Sequence, residues 1–120
     1  MSEECENTEV LRLIEDEYAR AILLQTSRQP MSASELSEAI DASPPTVYRR
    51  LDDLVRCELL VERTEFVDDG PNFSVYATRV EEIAVGFVDG ELTVTLTDRD
   101  ELLTDETTAE RFTRLYEALR

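Results

Sequence analysis

Apolar positions recur every three to four residues through the first half of the chain and every second residue through much of the remainder, so helices come first and strands follow. From Glu9 to Thr26, the residues Val10, Leu13, Ile14, Tyr18, Ala21, Ile22 and Leu24 form one apolar helical stripe that Thr8 can cap, with Leu11 and Leu23 lying off it. Ser32 and Glu35 write a Ser-x-x-Glu capping box, which starts a helix over Ala33 to Ile40 whose stripe is Leu36, Ala39 and Ile40. Asp41, Ala42 and Ser43 form a turn. Ser43 then caps a second helix with Pro44 at its first position, where the missing N–H costs nothing, and Pro45 is tolerated for the same reason. In that helix Val47, Leu51 and Leu54 share one face, while Thr46, Arg49, Arg50 and Asp53 share the other.

Two β-prone runs follow, Leu59 to Val67 and Phe73 to Thr78, separated by the turn-rich loop Asp68-Asp69-Gly70-Pro71-Asn72. A second hairpin has a definite register. Asp89-Gly90 signals a type I′ turn, and a two-residue loop there pairs Phe87 with Leu92, Val85 with Val94 and Ile83 with Leu96. These six share a face that needs a cover, whereas Thr93, Thr95 and Thr97 line a face that can meet water. Asp98 to Leu103 reads as a short helical turn, and a capping box at Thr107 and Glu110 opens a last helix with the stripe Phe112, Leu115, Tyr116 and Leu119. At about 12 residues that helix is marginal alone, so its stripe must dock.

Two short helices across a tight turn, running straight into a hairpin, follow the order of a winged helix-turn-helix. The expected fold is α+β: a winged helix-turn-helix with an additional β-hairpin and N- and C-terminal dimerisation helices. It forms one domain of 120 residues, with the helix-turn-helix at 32–57, the wing at 59–79, the second hairpin at 80–97 and the C-terminal helix at 107–120. An exposed helix that begins with small polar groups and carries arginine in its second turn suits the DNA major groove, because arginine takes guanine bidentately or grips phosphate. The helix pair alone fits a buried hairpin with solvated charges equally well, since the pattern is degenerate.

The segments MSASELSEAIDASPPTVYRRLDDLVRCELLVERT and NFSVYATRVEEIAVGF resemble the winged-helix transcriptional regulators of salt-loving archaea, related to the ArsR and PadR groups, over about residues 9 to 97. The resemblance implies that Pro45, Thr46, Tyr48, Arg49 and Arg50 sit where such recognition helices touch bases or phosphates, and that the hairpin around Asn72 is the wing. Ser43 at the head of the helix and Arg63 beside the wing complete the candidate DNA-binding set. Tyr48 suits either a DNA contact or packing under the wing. Two departures stand out. Cys57-Glu58-Leu59 replaces the family's Ala-Gly-Leu, so a left-handed cap at Glu58 would cost ~1 kcal/mol unless the helix ends another way. Asp68 and Asp69 at the wing tip would face phosphates, with only Arg63 and Arg79 supplying positive charge beside the wing.

Composition changes the mechanism to be expected. The chain has 28 acidic and 12 basic residues and a net charge of −16; every basic residue is arginine, with no lysine and no histidine. Even within Ser32 to Arg63 carboxylates outnumber arginines, where a DNA-binding domain ordinarily shows a basic footprint. A lysine-free carboxylate surface suits molar salt, in which charges are screened to a Debye length of ~3 Å and repulsion from DNA becomes short-ranged. Close arginine contacts, with salt cations bridging carboxylate and phosphate, would then replace a basic patch. Hydrophobic content of 42% with clear periodicity argues against a disordered acidic tail.

Without histidine or a Cys-x-x-Cys, no metal site and no cofactor is expected, and no nucleophile has a base partner, so the chain does not read as an enzyme. The carboxylate runs Glu15-Asp16-Glu17 and Asp98 to Glu101 read as solvated surface. Cys57 reads as a packed hydrophobe, and Cys5, in a loose N-terminus, as a redox-active group or an intersubunit link. Two cysteines without a framework fit a reducing cytoplasm, and no apolar run is long enough for a signal peptide or a membrane span. The function expected is a sequence-specific, double-stranded-DNA-binding transcriptional regulator adapted to high salt, linked to an oxidative or other stress response. It would act as a homodimer on a pseudo-palindromic operator, with Val10, Leu11, Ile14, Tyr18, Phe112, Leu115, Tyr116 and Leu119 in the dimer contact, because two recognition helices must sit one DNA turn apart. The alternative is a winged-helix protein-interaction module of the transcription machinery that does not bind DNA.

Overall fold

A computed structural model describes residues 5–66 and 70–99. Four helices precede two antiparallel hairpins: α1 (Asn7–Glu15), α2 (Glu17–Thr26), α3 (Ala33–Ala39), α4 (Pro44–Arg56), β1 (Leu60–Glu65), β2 (Phe73–Thr78), β3 (Val80–Val88) and β4 (Glu91–Asp98). Val67, the expected wing-tip residues Asp68 and Asp69, the expected helical turn beyond Arg99 and the helix at 107–120 lie outside the described residues; Asp98, expected to open that turn, instead closes β4.

The single helix expected over 9–26 is two helices. Asp16 adopts an extended conformation (φ −69°, ψ 124°) and its carboxylate accepts the Ala19 N–H at 2.7 Å, so the residue ends α1 and caps α2. Thr8 does not cap α1; Glu6 stands at that position without a side-chain bond. The break resets the helical phase, since an extended residue does not advance the chain by the helical rotation. In α2 the buried stripe is Ala19, Ile22, Leu23 and Thr26, so Leu23 is in the core and Leu24, expected inside, is 63% exposed.

The helix-turn-helix forms as its capping signals predict. Ser32 and Glu35 close the capping box of α3, and Ser43 caps α4 with proline following. Ala33 and Leu36 are the buried residues of α3, while Ala39 is exposed, a correction to the expected stripe. Both helices end in a left-handed residue that is not glycine. After α3, Asp41 (φ 53°) lets the Ala42 N–H reach the Ser37 carbonyl at 3.2 Å. After α4, Glu58 (φ 64°) donates to Val55 O at 3.0 Å and Leu59 to Leu54 O at 2.9 Å, the paired bonds of a Schellman cap. Leu54 and Leu59 are both fully buried, and their contact offsets the ~1 kcal/mol strain of a glutamate in the left-handed region.

β1 and β2 pair from Leu60↔Thr78 to Glu65↔Phe73, and Met31 bridges Tyr76, which adds a short third rung to the wing sheet. β1 begins one residue after the expected Leu59 and ends at Glu65, with Phe66 outside it. In the second hairpin the register is the expected one: Ile83↔Leu96, Val85↔Val94 and Phe87↔Leu92. Asp89 (φ 50°) and Gly90 (φ 80°) make its turn. Gly86 faces Thr93 so closely that an added Cβ would lie 2.6 Å from the threonine hydroxyl. The base of this hairpin packs on the core through Ile83, Val94 and Leu96, and Asn7 donates to Leu92 O at 3.0 Å. Its tip stays bare, with Phe87 84% exposed.

Val10, Ile22, Leu36, Val47, Leu51, Leu54 and Leu59 are the heart of the core, drawn from all four helices and the entry to the wing. Cys57 is buried with them and forms a disulfide with Cys5, 52 residues away in sequence. Cys5 is thus neither loose nor an intersubunit link, and Cys57 is more than a packed hydrophobe. Closing a loop of this length restricts the unfolded chain, so reduction or Cys5→Ser is expected to lower unfolding free energy by about 2–4 kcal/mol. Urea midpoints measured with and without reductant test this, and equal midpoints would show that the bond contributes nothing.

Candidate nucleic-acid interface

α4 presents its polar face as the helical period requires: Val47, Leu51 and Leu54 turn inward, and Ser43, Pro45, Tyr48 and Arg49 are exposed. Thr46 is partly covered. Its N–H donates to Ser43 Oγ at 3.4 Å, and the Ser43 hydroxyl lies 3.0 Å from Thr46 Oγ1, so both side chains serve the helix start. Arg49 has no ion-pair partner among the described residues.

Arg50 is differently placed from its neighbour. Its Nε and Nη2 donate to the two carboxylate oxygens of Asp16 at 2.9 and 3.2 Å, a bidentate pair, and its guanidinium lies 6.0 Å from the centre of the Tyr18 ring. Arg56, one turn and a half along α4, is bound by Glu9 of α1 and by Asp53. The Arg50 guanidinium holds the Asp16 carboxyl below the usual aspartate range, and Arg56 lowers Glu9 likewise. Two of the three arginines on α4 thus fasten the helix to the α1–α2 corner, and Arg49 is left facing outward. Sequence reasoning counted Asp16 as solvated surface; the available signal was an N-cap residue type in the middle of an apparent 18-residue helix.

Between the start of α3, α4 and the wing lies a cleft of about 550 Å³ lined by Ser32, Ser34, Tyr48, Glu62, Phe73 and Tyr76. Tyr48 is 54% exposed on this wall, so it both flanks the wing and offers its edge to solvent. Phe73, which sequence reasoning did not single out, is 44% exposed opposite it. The Tyr76 hydroxyl donates to Glu62 at 3.4 Å, and burial together with the Glu62 charge pushes its ionisation up to about 12, so it remains a neutral donor. Asn72 is exposed at the wing and Arg63 is exposed on β1. Arg63 lies away from this cleft, beside the loop that follows α2.

Of the expected dimer residues, Val10 is fully buried in the subunit's own core, whereas Leu11, Ile14 and Tyr18 are partly exposed on α1 and at the start of α2. Phe112, Leu115, Tyr116 and Leu119 lie outside the described residues. The Cys5 and Cys57 sulfurs and the Glu9 carboxylate come together beneath α4, but bonded sulfurs offer no thiolate to a metal. Among the described residues no helix is long and apolar enough to cross a membrane.

The pairing with Arg50 makes Asp16 a pH-dependent fastening. Its folded-state pKa is depressed, so the stabilisation is present above the ordinary carboxyl range and is lost as pH falls through the folded value. Asp16→Asn is expected to be less stable than the parent at pH ~7 by about 1–3 kcal/mol and to lose less on acidification to pH ~3. Urea unfolding at the two pH values reads this out; parallel losses in parent and variant would mean that Asp16 is not held ionised by Arg50.

A helix-turn-helix domain model matches residues 14–63, from the end of α1 through α4 into β1. None of the curated proteins compared with the chain matches it. Match and fold agree: the chain carries a winged helix-turn-helix of the kind that serves DNA-binding regulators.

Proposed function

We propose that this protein is a sequence-specific transcriptional regulator that reads a pseudo-palindromic duplex operator as a homodimer in a salt-rich cytoplasm, within an oxidative or other stress response. The observation that carries the reading is Arg49, exposed on α4, unclaimed by any carboxylate among the described residues, and next in sequence to Tyr48, which lines the cleft that α4 shares with the wing. Ser43, Pro45 and Thr46 at the start of α4 and Asn72 on the wing take part in that contact, and Arg63 serves a flanking phosphate. Arg50 acts by setting the pose of the helix, because its guanidinium is already bidentate to Asp16. A net charge of −16 without lysine supports the high-salt setting, in which cations bridge acidic surface and phosphate and counterion release is small or reversed. The Cys5–Cys57 bond supports the oxidative link, since it ends at the cap of the recognition helix.

For the dimer, Leu11, Ile14 and Tyr18 supply the part of the first helices that the core leaves uncovered, and the stripe of Phe112, Leu115, Tyr116 and Leu119 supplies the other. The bare apolar residues Val85 and Phe87 of the second hairpin offer further apolar surface to a partner. A protein-interaction module is favoured over a DNA reader by one observation, that Arg50 and Arg56 are both engaged by carboxylates of the same chain.

Anisotropy titration of duplex DNA at ~0.1 M and ~2 M KCl separates the two readings. Arg49→Ala is expected to weaken DNA binding by about tenfold with thermal stability unchanged, and affinity is expected to hold or rise with salt. Absence of binding at both salt concentrations sinks the regulator. Phe87→Glu is expected to shift the light-scattering mass from dimer towards monomer, and a parent protein that is monomeric at every concentration rules the dimer out.

A further inference from the structure

Behind the wing, on the side away from the α4 cleft, a cavity of about 310 Å³ opens between the loop after α2 and the base of the β1–β2 hairpin. Three arginines line it, each from a different part of the chain: Arg28 from the loop after α2, Arg63 from β1 and Arg99 from just beyond β4. Ser27, Thr78 and Gln29 add polar groups, and no carboxylate is among the lining residues. In a chain with 28 acidic and 12 basic residues, such a concentration of positive charge without an acidic side chain runs against the composition of the whole surface.

Ordinary structural roles account for only part of this. Arg28 stands just past the C-terminus of α2, where a cation interacts favourably with the helix dipole. Three carbonyls at that helix end are nevertheless already met: Ser27 N–H donates to Leu23 O at 3.0 Å, Ser27 Oγ to Leu24 O at 2.7 Å and Arg28 N–H to Gln25 O at 3.2 Å. Arg63 has no comparable local role. Neither Arg28 nor Arg63 forms an ion pair among the described residues, whereas Arg50, Arg56 and Arg79 each hold a carboxylate. Arg12, Arg20 and Arg49 likewise form no ion pair among the described residues, but Arg20 donates to the Ile14 and Glu15 carbonyls and Arg49 is on α4; Arg28 and Arg63 meet at this cavity.

We propose that the cavity is a phosphate-class oxyanion site, in which the Arg28 and Arg63 guanidinium groups grip the anion with Arg99 beside them. Planar guanidinium forks match the several oxygens of a phosphate group and remain charged at any physiological pH; the Gln29 amide adds a donor, whereas the Ser27 and Thr78 hydroxyl protons are committed to the Leu24 and Leu23 carbonyls. The cavity volume is at the lower end of the small-ligand range, so it takes a phosphate or diphosphate group rather than a large apolar molecule. The phosphate comes either from a free phosphorylated molecule or from the backbone of a bound duplex. The floor of the cavity couples it to the fold: Thr78 Oγ1 lies 2.7 Å from Thr26 Oγ1 and 2.7 Å from Leu23 O, joining the second wing strand to α2.

Isothermal titration of the full chain with pyrophosphate, in the absence of DNA, tests the site independently of the nucleic-acid reading. One site per chain is expected. Arg28→Gln and Arg63→Gln should each weaken it by about tenfold or more, while Arg12→Gln, which removes a remote exposed arginine, leaves it unchanged. Absence of binding, or equal binding by the parent and the Arg28→Gln/Arg63→Gln double variant, overturns the proposal. Circular dichroism of the variants confirms that they are folded. Repeating the titration with duplex DNA present identifies the source: loss of pyrophosphate binding assigns the site to backbone phosphate, and undiminished binding assigns it to a free phosphorylated ligand.

Discussion

The contact on which the arrangement of the helices depends is that between Asp16 and Arg50. A single carboxylate ends α1, caps α2 and holds the recognition helix by a bidentate pair. Its position in the chain decides which residues of α2 reach the core, because the break at Asp16 brings Leu23 inward and leaves Leu24 outside. Its position in space orients α4, because Arg50 is anchored at the α1–α2 corner while Arg49, the next residue, is turned to solvent. A surface ion pair contributes little on its own; this one is partly buried, doubled and tied to a helix cap, which raises its weight.

The same economy governs the cationic groups as a whole. In an acidic chain each arginine is surrounded by candidate partners, so a guanidinium that remains without one is informative. Arg56 is drawn to Glu9 and Asp53, and Arg79 to Asp98. The exposed face of α4 is consequently sparse in positive charge, with one unpaired arginine, one tyrosine and small polar groups at the helix start rather than a broad positive field. Recognition through such a surface depends on shape and close contact, which salt screens least.

Much of this fold was legible in the sequence, and the reasons differ by element. Capping residues are local, so Ser32, Glu35, Ser43 and Pro44 located α3 and α4 closely. The Asp89-Gly90 turn determined the register of β3 and β4 because a two-residue loop leaves no freedom in pairing. The helix break at Asp16 was hidden, since the apolar residues on both sides fit one continuous stripe well enough. The partners of Arg50 and Arg56 were hidden for another reason: which of 28 carboxylates meets a given arginine is decided by tertiary packing. Glu58 was legible as a conflict, a residue with a side chain where the backbone needs a left-handed turn, and the structure resolves the conflict by keeping the turn.

The bond between Cys5 and Cys57 makes a closed covalent ring of the four helices, while both hairpins hang outside it on a single thread of backbone. A protease cut within the ring leaves the pieces attached, and the molecule keeps its full mass until the sulfurs are reduced. A cut in the wing or the second hairpin has no such insurance. The helical half therefore tolerates a broken backbone in an oxidising setting, and the half that frames it does not.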